Sequence, residues 1–441
     1  MNFKEEMQMD NPRELALKSL IKTEVSGAFT NLEINTTLTR ADLDEKDSAL
    51  YTVLYLGVIE NKIFLDYVIK KYSSIDIEKI DVTELNVLRL GIYQLYFLDK
   101  IPDYSATDEC VKLCQKRTKG FVNAVLRAFI RDGKKVELPK EKWQGVSVMH
   151  SFPMSIIELL RASYGDDVAY ELITNAAKEN ELCLRVNTLR TSTSELISEL
   201  TKREINAIVS SYASDVIKCA CPISKITDLL ESGAVFVQDE SSRICALALG
   251  AKENEKILDA CACPGGKTFS ISMDMQNKGE ILACDLHENK LSLITKSARK
   301  LGINVISTKA QNAKEYVSEY ESAFDRVLCD VPCSGIGIIF KKPDIKYKDI
   351  SSINNLPCVQ FDILSNCSKY VKVGGTLVYS TCTLNKAENE DNVTRFLEEN
   401  DGFEFVDFEI GNVKSKNGMY TFLPHVTGTD GFFVAKMKRV K

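Results

Sequence analysis

Two cysteines stand where a thiol could act as a nucleophile. Cys333 lies in the segment Asp-Val-Pro-Cys-Ser-Gly-Ile-Gly, and Cys382 lies in Tyr-Ser-Thr-Cys-Thr. Each follows an apolar run typical of a buried parallel strand, so each thiol should lie just beyond the carboxyl end of a strand, where open α/β sheets bind their ligands. Either cysteine alone is most simply a small buried residue. Two thiols on neighbouring strand ends instead indicate chemistry in which sulfur attacks a carbon atom and later leaves.

A glycine-rich turn lies upstream of both cysteines. The run Leu258-Asp-Ala-Cys-Ala-Cys-Pro-Gly-Gly-Lys-Thr follows a strand and opens a helix, so that backbone N–H groups face a ligand at close range. The next strand ends in Asp285, a position suited to a carboxylate that accepts both hydroxyls of a ribose. The spacing fits neither a P-loop nor the Gly-x-Gly-x-x-Gly dinucleotide motif. Together these features predict an adenosine cofactor without a pyrophosphate.

The thiols and the cofactor turn together suggest methylation of cytosine. C5 of cytosine is not nucleophilic, but a thiolate that adds to C6 makes C5 enamine-like and able to attack an electrophilic methyl group. Loss of the C5 proton and of the sulfur completes the reaction, which is covalent catalysis. A free thiol with a pKa of about 8.5 needs a positive environment, or help from the substrate, to ionise. Four lysines follow Cys333 closely, at Lys341, Lys342, Lys346 and Lys348.

The elements that precede this region read as two smaller domains. Residues from about 10 to 135 repeat apolar side chains at helical spacing, most clearly over 49–69 and 85–98, and lack strand signals. This pattern predicts an all-α domain. Residues 138–143 read as a linker, and residues from about 150 to 235 mix helical stretches with short apolar runs. The predicted domains are therefore an all-α domain over 1–140, a small α+β subdomain over 141–235 and a third domain over 236–441.

The third domain alternates strands and helices. Apolar runs predict strands over 256–260, 280–285, 304–308, 326–330 and 376–380. Amphipathic stretches predict helices over 267–275, 288–301, 356–371 and 386–399. Repeated βα units predict a doubly wound, mostly parallel α/β sheet, and the final run 431–437 could add an antiparallel strand.

Composition limits the partners and the compartment. The 441 residues carry a net charge of −6 and a pI near 5.5, which argues against binding nucleic acid by bulk charge. Local basic clusters remain, over 112–135, which we interpret as a solvated face, and over 341–348, beside Cys333. No apolar run reaches the length of a membrane span, and the first residues lack a secretory pattern, so we expect a cytoplasmic protein without a membrane. The 14 cysteines include no Cys-x-x-Cys, and with three histidines they predict no metal site.

These motifs resemble those of the RNA 5-methylcytosine methyltransferases, the Nol1/Nop2/Sun family. The resemblance covers about residue 180 to the C-terminus. It is carried by Asp330-Val-Pro-Cys-Ser-Gly-Ile-Gly, Ser380-Thr-Cys-Thr and Cys263-Pro-Gly-Gly-Lys-Thr, and further by Arg185-Val-Asn-Thr-Leu, Val237-Gln-Asp-Glu-Ser-Ser, Lys342-Pro-Asp-Ile-Lys and Asp430-Gly-Phe-Phe. The N-terminal segments Ile101-Pro-Asp-Tyr-Ser-Ala and Lys119-Gly-Phe-Val-Asn-Ala-Val-Leu-Arg resemble a NusB-like RNA-binding domain.

The resemblance implies a Rossmann-like, S-adenosylmethionine-dependent methyltransferase that modifies 16S ribosomal RNA of the small subunit. It implies that Cys382 is the nucleophile at C6 and that Cys333 helps to release the methylated base. The cofactor residues that it implies are Cys261, Ala262, Cys263, Pro264, Gly265, Gly266 and Lys267 around the turn, Asp285 at the ribose, Asp330 beside cofactor and base, and Asn312 after the third strand. We expect a monomer with no metal.

One departure and two alternatives remain. The family has Gly-Asp after the third strand, whereas this chain has Gln311-Asn312, which keeps hydrogen bonding but lacks the charge. The same chemistry on transfer RNA is one alternative, because only the N-terminal resemblance favours ribosomal RNA. A non-catalytic RNA-binding ribosome assembly factor is the other. No residue of the sequence identifies the base that removes the C5 proton.

Overall fold

The computed structural model describes residues 10–27, 30–175, 181–348 and 353–441. The chain forms two compact units. The first comprises the residues up to Ala162 together with Ile339–Lys348, and the second comprises Ser163–Ile338 together with the residues that follow Lys348. Among the described residues, no helix is both long and apolar enough to cross a membrane.

The first unit is helical, and its described residues between 10 and 135 include no strand, as predicted. Asn11 caps the first helix by accepting the N–H groups of Arg13 and Glu14. The predicted helical stretch 49–69 is two helices, because the chain turns at Asn61, whose side chain donates to the Gly57 carbonyl at 2.8 Å. The helices are α1 (Pro12–Ser26), α2 (Thr30–Arg40), α3 (Glu45–Glu60), α4 (Lys62–Tyr72), α5 (Val82–Phe97), α6 (Asp103–Lys112), α7 (Lys119–Arg131), α8 (Lys142–His150) and α9 (Met154–Tyr164), within which the unit ends.

A distant segment, Ile339–Lys348, completes the helical unit. Lys346 in this segment is 4% exposed. Its ammonium group donates to the backbone oxygens of Glu60 and His150, the last residues of α3 and α8, both at 3.4 Å. A cation at a helix C-terminus satisfies free carbonyls and opposes the helix dipole. The lysine-rich cluster after Cys333 therefore contains a buried lysine that anchors two helix ends, a role that the sequence pattern did not indicate.

The second unit begins with a small α+β subdomain, as predicted. Its four-stranded antiparallel sheet has the order β2-β3-β1-β4. Asn187, which follows β1, donates to the carbonyls of Gly233 and Leu301 at 2.8 and 2.9 Å, and these bonds tie the subdomain to the following domain. Its elements are α10 (Asp166–Asn175), β1 (Leu182–Val186), α11 (Thr193–Lys202), β2 (Ala207–Val209), β3 (Val216–Cys219), α12 (Thr227–Glu231) and β4 (Val235–Val237).

The following domain is a doubly wound, mostly parallel sheet, which confirms the predicted fold class. Its path is β10-β14-β9-β8-β5-β6-β7; β14 is antiparallel to β9, and β13 pairs with β14. The elements are α13 (Glu240–Leu249), β5 (Lys256–Asp259), α14 (Gly266–Asp274), β6 (Glu280–Asp285), α15 (Glu288–Leu301), β7 (Ile306–Ala310), β8 (Phe324–Asp330), α16 (Leu356–Ser368), β9 (Val371–Thr381), α17 (Glu390–Glu399), β10 (Phe403–Phe405), β11 (Glu409–Ile410), β12 (Val413–Lys414), β13 (Met419–Phe422), α18 (Pro424–Thr427) and β14 (Phe432–Arg439).

Alternation along the central strands builds a core on each face of the sheet. Val327 and Cys329 of β8 face a core that includes residues of α16 and α17, whereas Leu328 faces a core that includes residues of α13 and α14. Side chains of a strand alternate between faces, so a strand covered on both sides reads as a continuous apolar run. This burial fixes the order and direction of the strands whose carboxyl ends carry the site.

The last predicted helix differs in one respect that matters for the site. The sequence predicts a continuous helix over 386–399, but the structure has a short 3-10 turn, Lys386–Glu388, followed by α17. The helical conformation is interrupted at Asn389, whose backbone angles are φ −113° and ψ −104°. The Asn389 side chain bonds the Thr381 hydroxyl at 2.5 Å and the Thr383 carbonyl at 2.9 Å. These contacts to the end of β9 override the helical preference of the segment and turn Glu388 inward.

Candidate active site

The structure brings Cys333 and Cys382 into contact. Strands β8 and β9 are parallel neighbours, with Asp330 opposite Ser380, so both strands end at the same edge. Cys333 follows β8, Cys382 follows β9, and their Sγ atoms are 3.2 Å apart. Both residues are partly exposed, and neither forms a disulfide. The site therefore presents two accessible thiols to one small ligand.

A close backbone approach holds the two cysteine loops together. The Gly337 N–H donates to the Cys382 carbonyl at 3.0 Å, and the Gly431 N–H donates to the Gly337 carbonyl at 2.9 Å. A Cβ atom on Gly337 would overlap the carbonyl group of Gly431, so the crossing requires glycine. The hydroxyls of Ser334 and Thr383 add a hydrogen bond of 2.6 Å between the loops.

A buried carboxylate, Glu388, lies beneath this crossing. Its Oε2 accepts the Ser334 N–H at 2.9 Å and the Gln360 amide at 2.8 Å, and its Oε1 accepts the Asn385 amide at 3.0 Å. Glu388 and Gln360 are both fully buried. Sequence reasoning missed these residues, because Glu388 lies in a stretch with helical periodicity. Its position soon after Cys382 was the available signal.

The glycine turn and the acid of the next strand lie at the adjoining strand ends. Strand β5 has β6 and β8 as its neighbours, and the loop formed by Cys261, Ala262, Cys263 and Pro264 leads from β5 into α14. Gly265 has φ +109°, and a Cβ atom there would meet the Phe269 ring, so the turn needs glycine. Asp285 ends β6, and its carboxylate accepts the N–H groups of Cys263 at 3.2 Å and His287 at 3.0 Å. The turn and this acid are thus fixed together.

Lys267, in the first turn of α14, links the glycine turn to the sheet edge that carries Cys333 and Cys382. Its ammonium lies 2.8 Å from Asp330 Oδ2, and Asp330 Oδ1 accepts the Ser380 hydroxyl at 2.7 Å. Burial lowers the pKa of Lys267, but the Asp330 carboxylate and the thiols of Cys245 and Cys382 raise it above its usual value. The lysine therefore stays charged, close enough to Cys382 for their charges to interact.

Asn312 lies two residues beyond β7, at the same edge as Asp285, which pairs with Ala310. Its amide nitrogen donates to Glu315 at 2.9 Å, and its oxygen accepts the Lys314 N–H at 3.2 Å. Both polar atoms of the Asn312 side chain therefore form hydrogen bonds within the turn that contains Asn312.

Two buried polar groups that sequence reasoning did not single out flank the glycine turn. Gln238 is 5% exposed; its oxygen accepts the Ser270 hydroxyl at 2.6 Å, and its nitrogen beside Gly266 has no partner among the described residues. Asp259 is 1% exposed; Oδ2 accepts the Thr268 hydroxyl at 2.7 Å, and Oδ1 meets no donor in the described part of the chain. Burial raises the pKa of Asp259 to about 7.

Two pairs of cysteines lie outside this site, one in the helical unit and one in the α+β subdomain. Cys110 and Cys114 are buried in the helical core. Cys219 and Cys221 have their sulfur atoms 3.8 Å apart, on one side of the chain. Within the described ranges, no group of three or more His, Cys, Asp or Glu side chains is placed to hold a metal ion.

Three family models match this chain along its length. The model for the NusB family matches residues 10–131, the model for the ferredoxin-like domain of RsmF/B-like methyltransferases matches 152–224, and the model for the 16S rRNA methyltransferase RsmB/F matches 246–438.

Curated relatives and solved structures agree with these models. The chain is 34% identical to a probable ribosomal RNA small subunit methyltransferase B of Bacillus subtilis and 31% identical to one of Synechocystis, in each case over 98% of this chain and all of the relative. The crystal structure of the protein PH0851 shares the fold at a TM-score of 0.83, with 23% identity over 98% of this chain and 100% of that one. A methyltransferase homolog from Pyrococcus horikoshii has a TM-score of 0.59 and 26% identity, over 67% of this chain and 97% of its own.

The doubly wound sheet, with a glycine turn after β5 and an acid after β6, defines an S-adenosylmethionine-dependent methyltransferase fold. A NusB-like helical region and a ferredoxin-like subdomain precede it. The chain belongs to the 16S rRNA methyltransferase RsmB/F family.

Proposed function

We propose that this protein transfers a methyl group from S-adenosylmethionine to C5 of a cytosine in 16S ribosomal RNA, with Cys382 as the covalent nucleophile. One observation carries the proposal: the sulfur atoms of Cys333 and Cys382 are 3.2 Å apart at the carboxyl ends of adjacent parallel strands. A base that enters this edge would meet both thiols. The glycine turn beside them supports a cofactor at the same edge.

The residues at the turn fit S-adenosylmethionine. The Asp285 carboxylate keeps acceptor capacity for ribose hydroxyls beyond the two N–H groups that fix it. The N-terminus of α14 at Gly266 and the unpartnered amide nitrogen of Gln238 beside it offer donors to the carboxylate of the cofactor. Cys261, Ala262, Cys263 and Pro264 would wrap the cofactor together with Gly265 and Lys267, and Asn312 would lie beyond Asp285, near the adenine.

Bound S-adenosylmethionine supplies an electrophilic methyl group. Cys382 Sγ would add to C6 of the cytosine, which gives C5 the electron density to react. After methylation, loss of the C5 proton and of Cys382 from C6 restores the aromatic ring, and Cys333 would assist this release. Asp330 would border both the cofactor and the base, because Lys267 and Ser380 hold its carboxylate between the two loops.

We further propose that the chain is organised as an RNA-binding helical domain over 1–140, a linking subdomain over 141–235 and a methyltransferase domain over 236–441. Each of the three matched family models falls inside one of these ranges, which supports the division. The compact helical unit itself continues to Ala162 and includes Ile339–Lys348. A cytosine in RNA would have to leave its stack to reach the thiols.

The test replaces the nucleophile. Cys382→Ala should abolish methyl transfer to 16S ribosomal RNA, measured by bisulfite sequencing after reaction in vitro, while isothermal titration should still detect S-adenosylmethionine binding. Cys358→Ala is the matched control, because Cys358 is an exposed cysteine on α16. Full activity of the Cys382 variant would contradict the assignment.

A further inference from the structure

We propose that Glu388 is a positioning residue that keeps the proton on Cys333 and leaves Cys382 as the thiolate of the pair. The Sγ atoms of the two thiols are 3.2 Å apart. The buried Glu388 carboxylate bonds the N–H of the residue after Cys333, and the partly buried Lys267 ammonium interacts electrostatically with Cys382. The use of that thiolate in methyl transfer rests on the proposed function, whereas the assignment of the thiolate to Cys382 rather than Cys333 does not.

The negative side of the pair is Glu388. Its carboxylate is fully buried and accepts three hydrogen bonds, from Ser334, Gln360 and Asn385. Among the described residues, no lysine, arginine or histidine forms a salt bridge with it. The three donors are neutral groups, so none of them neutralises the field of the carboxylate. That field acts on Cys333, the residue that precedes Ser334.

The effect on Cys333 is to retain its proton. The hydrogen bond with Cys382, then burial, then the negative charges of Cys382 and Glu388 raise the pKa of the Cys333 thiol well above its usual value. A protonated Cys333 can donate S–H to the neighbouring sulfur. With Cys333 protonated, the hydrogen bond between the two thiols would run from Cys333 to Cys382.

The positive side of the pair is Lys267. Its side chain is 13% exposed and pairs with Asp330 at 2.8 Å. Cys382 is among the groups that raise the pKa of this lysine, so the lysine in turn favours the ionised form of Cys382. The lysines at 341–348 are not needed for this effect.

The other titratable groups do not reverse this asymmetry. Asp330 on β8 is held by Lys267 and Ser380. Burial raises the pKa of Cys245 on α13 to about 12 and raises the pKa of Tyr379 on β9 well above its usual value, so both stay neutral. Cys382 would release its proton to solvent, and Cys333 would keep its own, before any RNA binds.

The experiment measures the two thiols separately in the full chain, without RNA or cofactor. Iodoacetamide is added at a low level, so that fewer than about one molecule in ten is alkylated, and mass spectrometry quantifies the labelled Cys333 and Cys382 peptides between pH 6 and 9.5. Because the thiolate is the reactive form, we expect Cys382 to react about tenfold faster than Cys333 at pH 7.5. Glu388→Gln should reduce this ratio about tenfold, the effect of one pKa unit, with a faster reaction at Cys333. Glu390→Gln, a carboxylate two residues further on that accepts the Thr421 hydroxyl instead, should keep the wild-type ratio.

Each outcome decides the proposal. Equal rates in the wild type, a faster Cys333, or an unchanged ratio in a folded Glu388→Gln protein would overturn it. If that variant does not fold, Lys267→Met replaces it: this change should slow alkylation of Cys382 but not of Cys333, and an unaltered ratio would refute the proposal. Methyl transfer by Cys382→Ala tests the proposed function alone, so the two failures can be told apart.

Discussion

The carboxyl group of Asp259 makes the stability of this protein depend on pH in an unusual direction. Asp259 lies at the end of β5 and is 1% exposed. Burial raises its pKa from 3.8 to about 7; the Thr268 hydrogen bond opposes the shift, and the charge of Asp330 adds to it. The folded state therefore binds this proton more tightly than the unfolded state does. The resulting stabilisation is complete below pH 3.8 and is lost as the pH rises towards 7.

The perturbation that isolates this effect is Asp259→Asn, which keeps the shape but cannot ionise. Between pH 5 and the folded pKa of about 7, two pKa units at 1.36 kcal/mol each correspond to about 2.7 kcal/mol. Because the wild type alone loses this stabilisation, the free energy of unfolding of the variant relative to wild type should rise by about 2–3 kcal/mol between pH 5 and pH 8.

Urea denaturation at pH 5, 6, 7 and 8 measures this difference. Asp391→Asn removes one carboxylate from an exposed position and controls for the loss of a negative charge. The reasoning would be refuted if the difference in unfolding free energy between wild type and Asp259→Asn stayed constant within about 0.5 kcal/mol from pH 5 to pH 8. A constant difference would mean that Asp259 ionises alike in the folded and unfolded states.

Three further outcomes follow from the packing of the site and of the helical unit. Gly337→Ala should lower the free energy of unfolding by about 1–3 kcal/mol, because its Cβ atom would push against Gly431; urea denaturation measures this. Lys346→Met should cost about 1–3 kcal/mol in thermal unfolding, because two partly buried carbonyls at helix ends lose a donor. Cys333→Ala should trap a protein–RNA adduct through Cys382, seen as a shifted band on a denaturing gel.

Each of these outcomes has a control or a contradicting result. Lys348→Met, an exposed lysine of the same segment, should leave thermal unfolding unchanged. An unfolding free energy of Gly337→Ala equal to that of the wild type would mean that the two loops can separate without cost. The absence of an adduct with Cys333→Ala, for every substrate RNA that the wild type methylates, would argue against a release role.

The sheet edge that carries Cys333 and Cys382 could be predicted from the sequence, because local sequence patterns determine it. Apolar runs bounded by turns identify β8 and β9, and a parallel sheet brings their carboxyl ends together, so the meeting of Cys333 and Cys382 follows from the pattern. The same reasoning predicted the glycine turn before α14 and the acid at the end of β6. In each case the chemistry-bearing residue is the last residue of a strand or lies in the loop that follows its carboxyl end.

Glu388 and Lys346 could not be predicted because their environments are tertiary. The sequence around Glu388 has helical periodicity, and only the bonds of Asn389 to the end of β9 break the helix there. In the sequence, Lys346 reads as one of a cluster of lysines beside Cys333, but the ends of two helices far away in the sequence bury it. No local sequence pattern predicts either contact.

The segment Ile339–Lys348 also has a consequence for synthesis of the chain. The helical unit draws on residues up to Ala162 and again on this segment, so its packing is incomplete until the segment has been translated. At about 5–20 residues per second, on the order of 10–40 s separates the two pieces. During that interval the carbonyls at the ends of α3 and α8 would lack the Lys346 ammonium group. The surface of the helical unit that Ile339–Lys348 later covers would stay exposed.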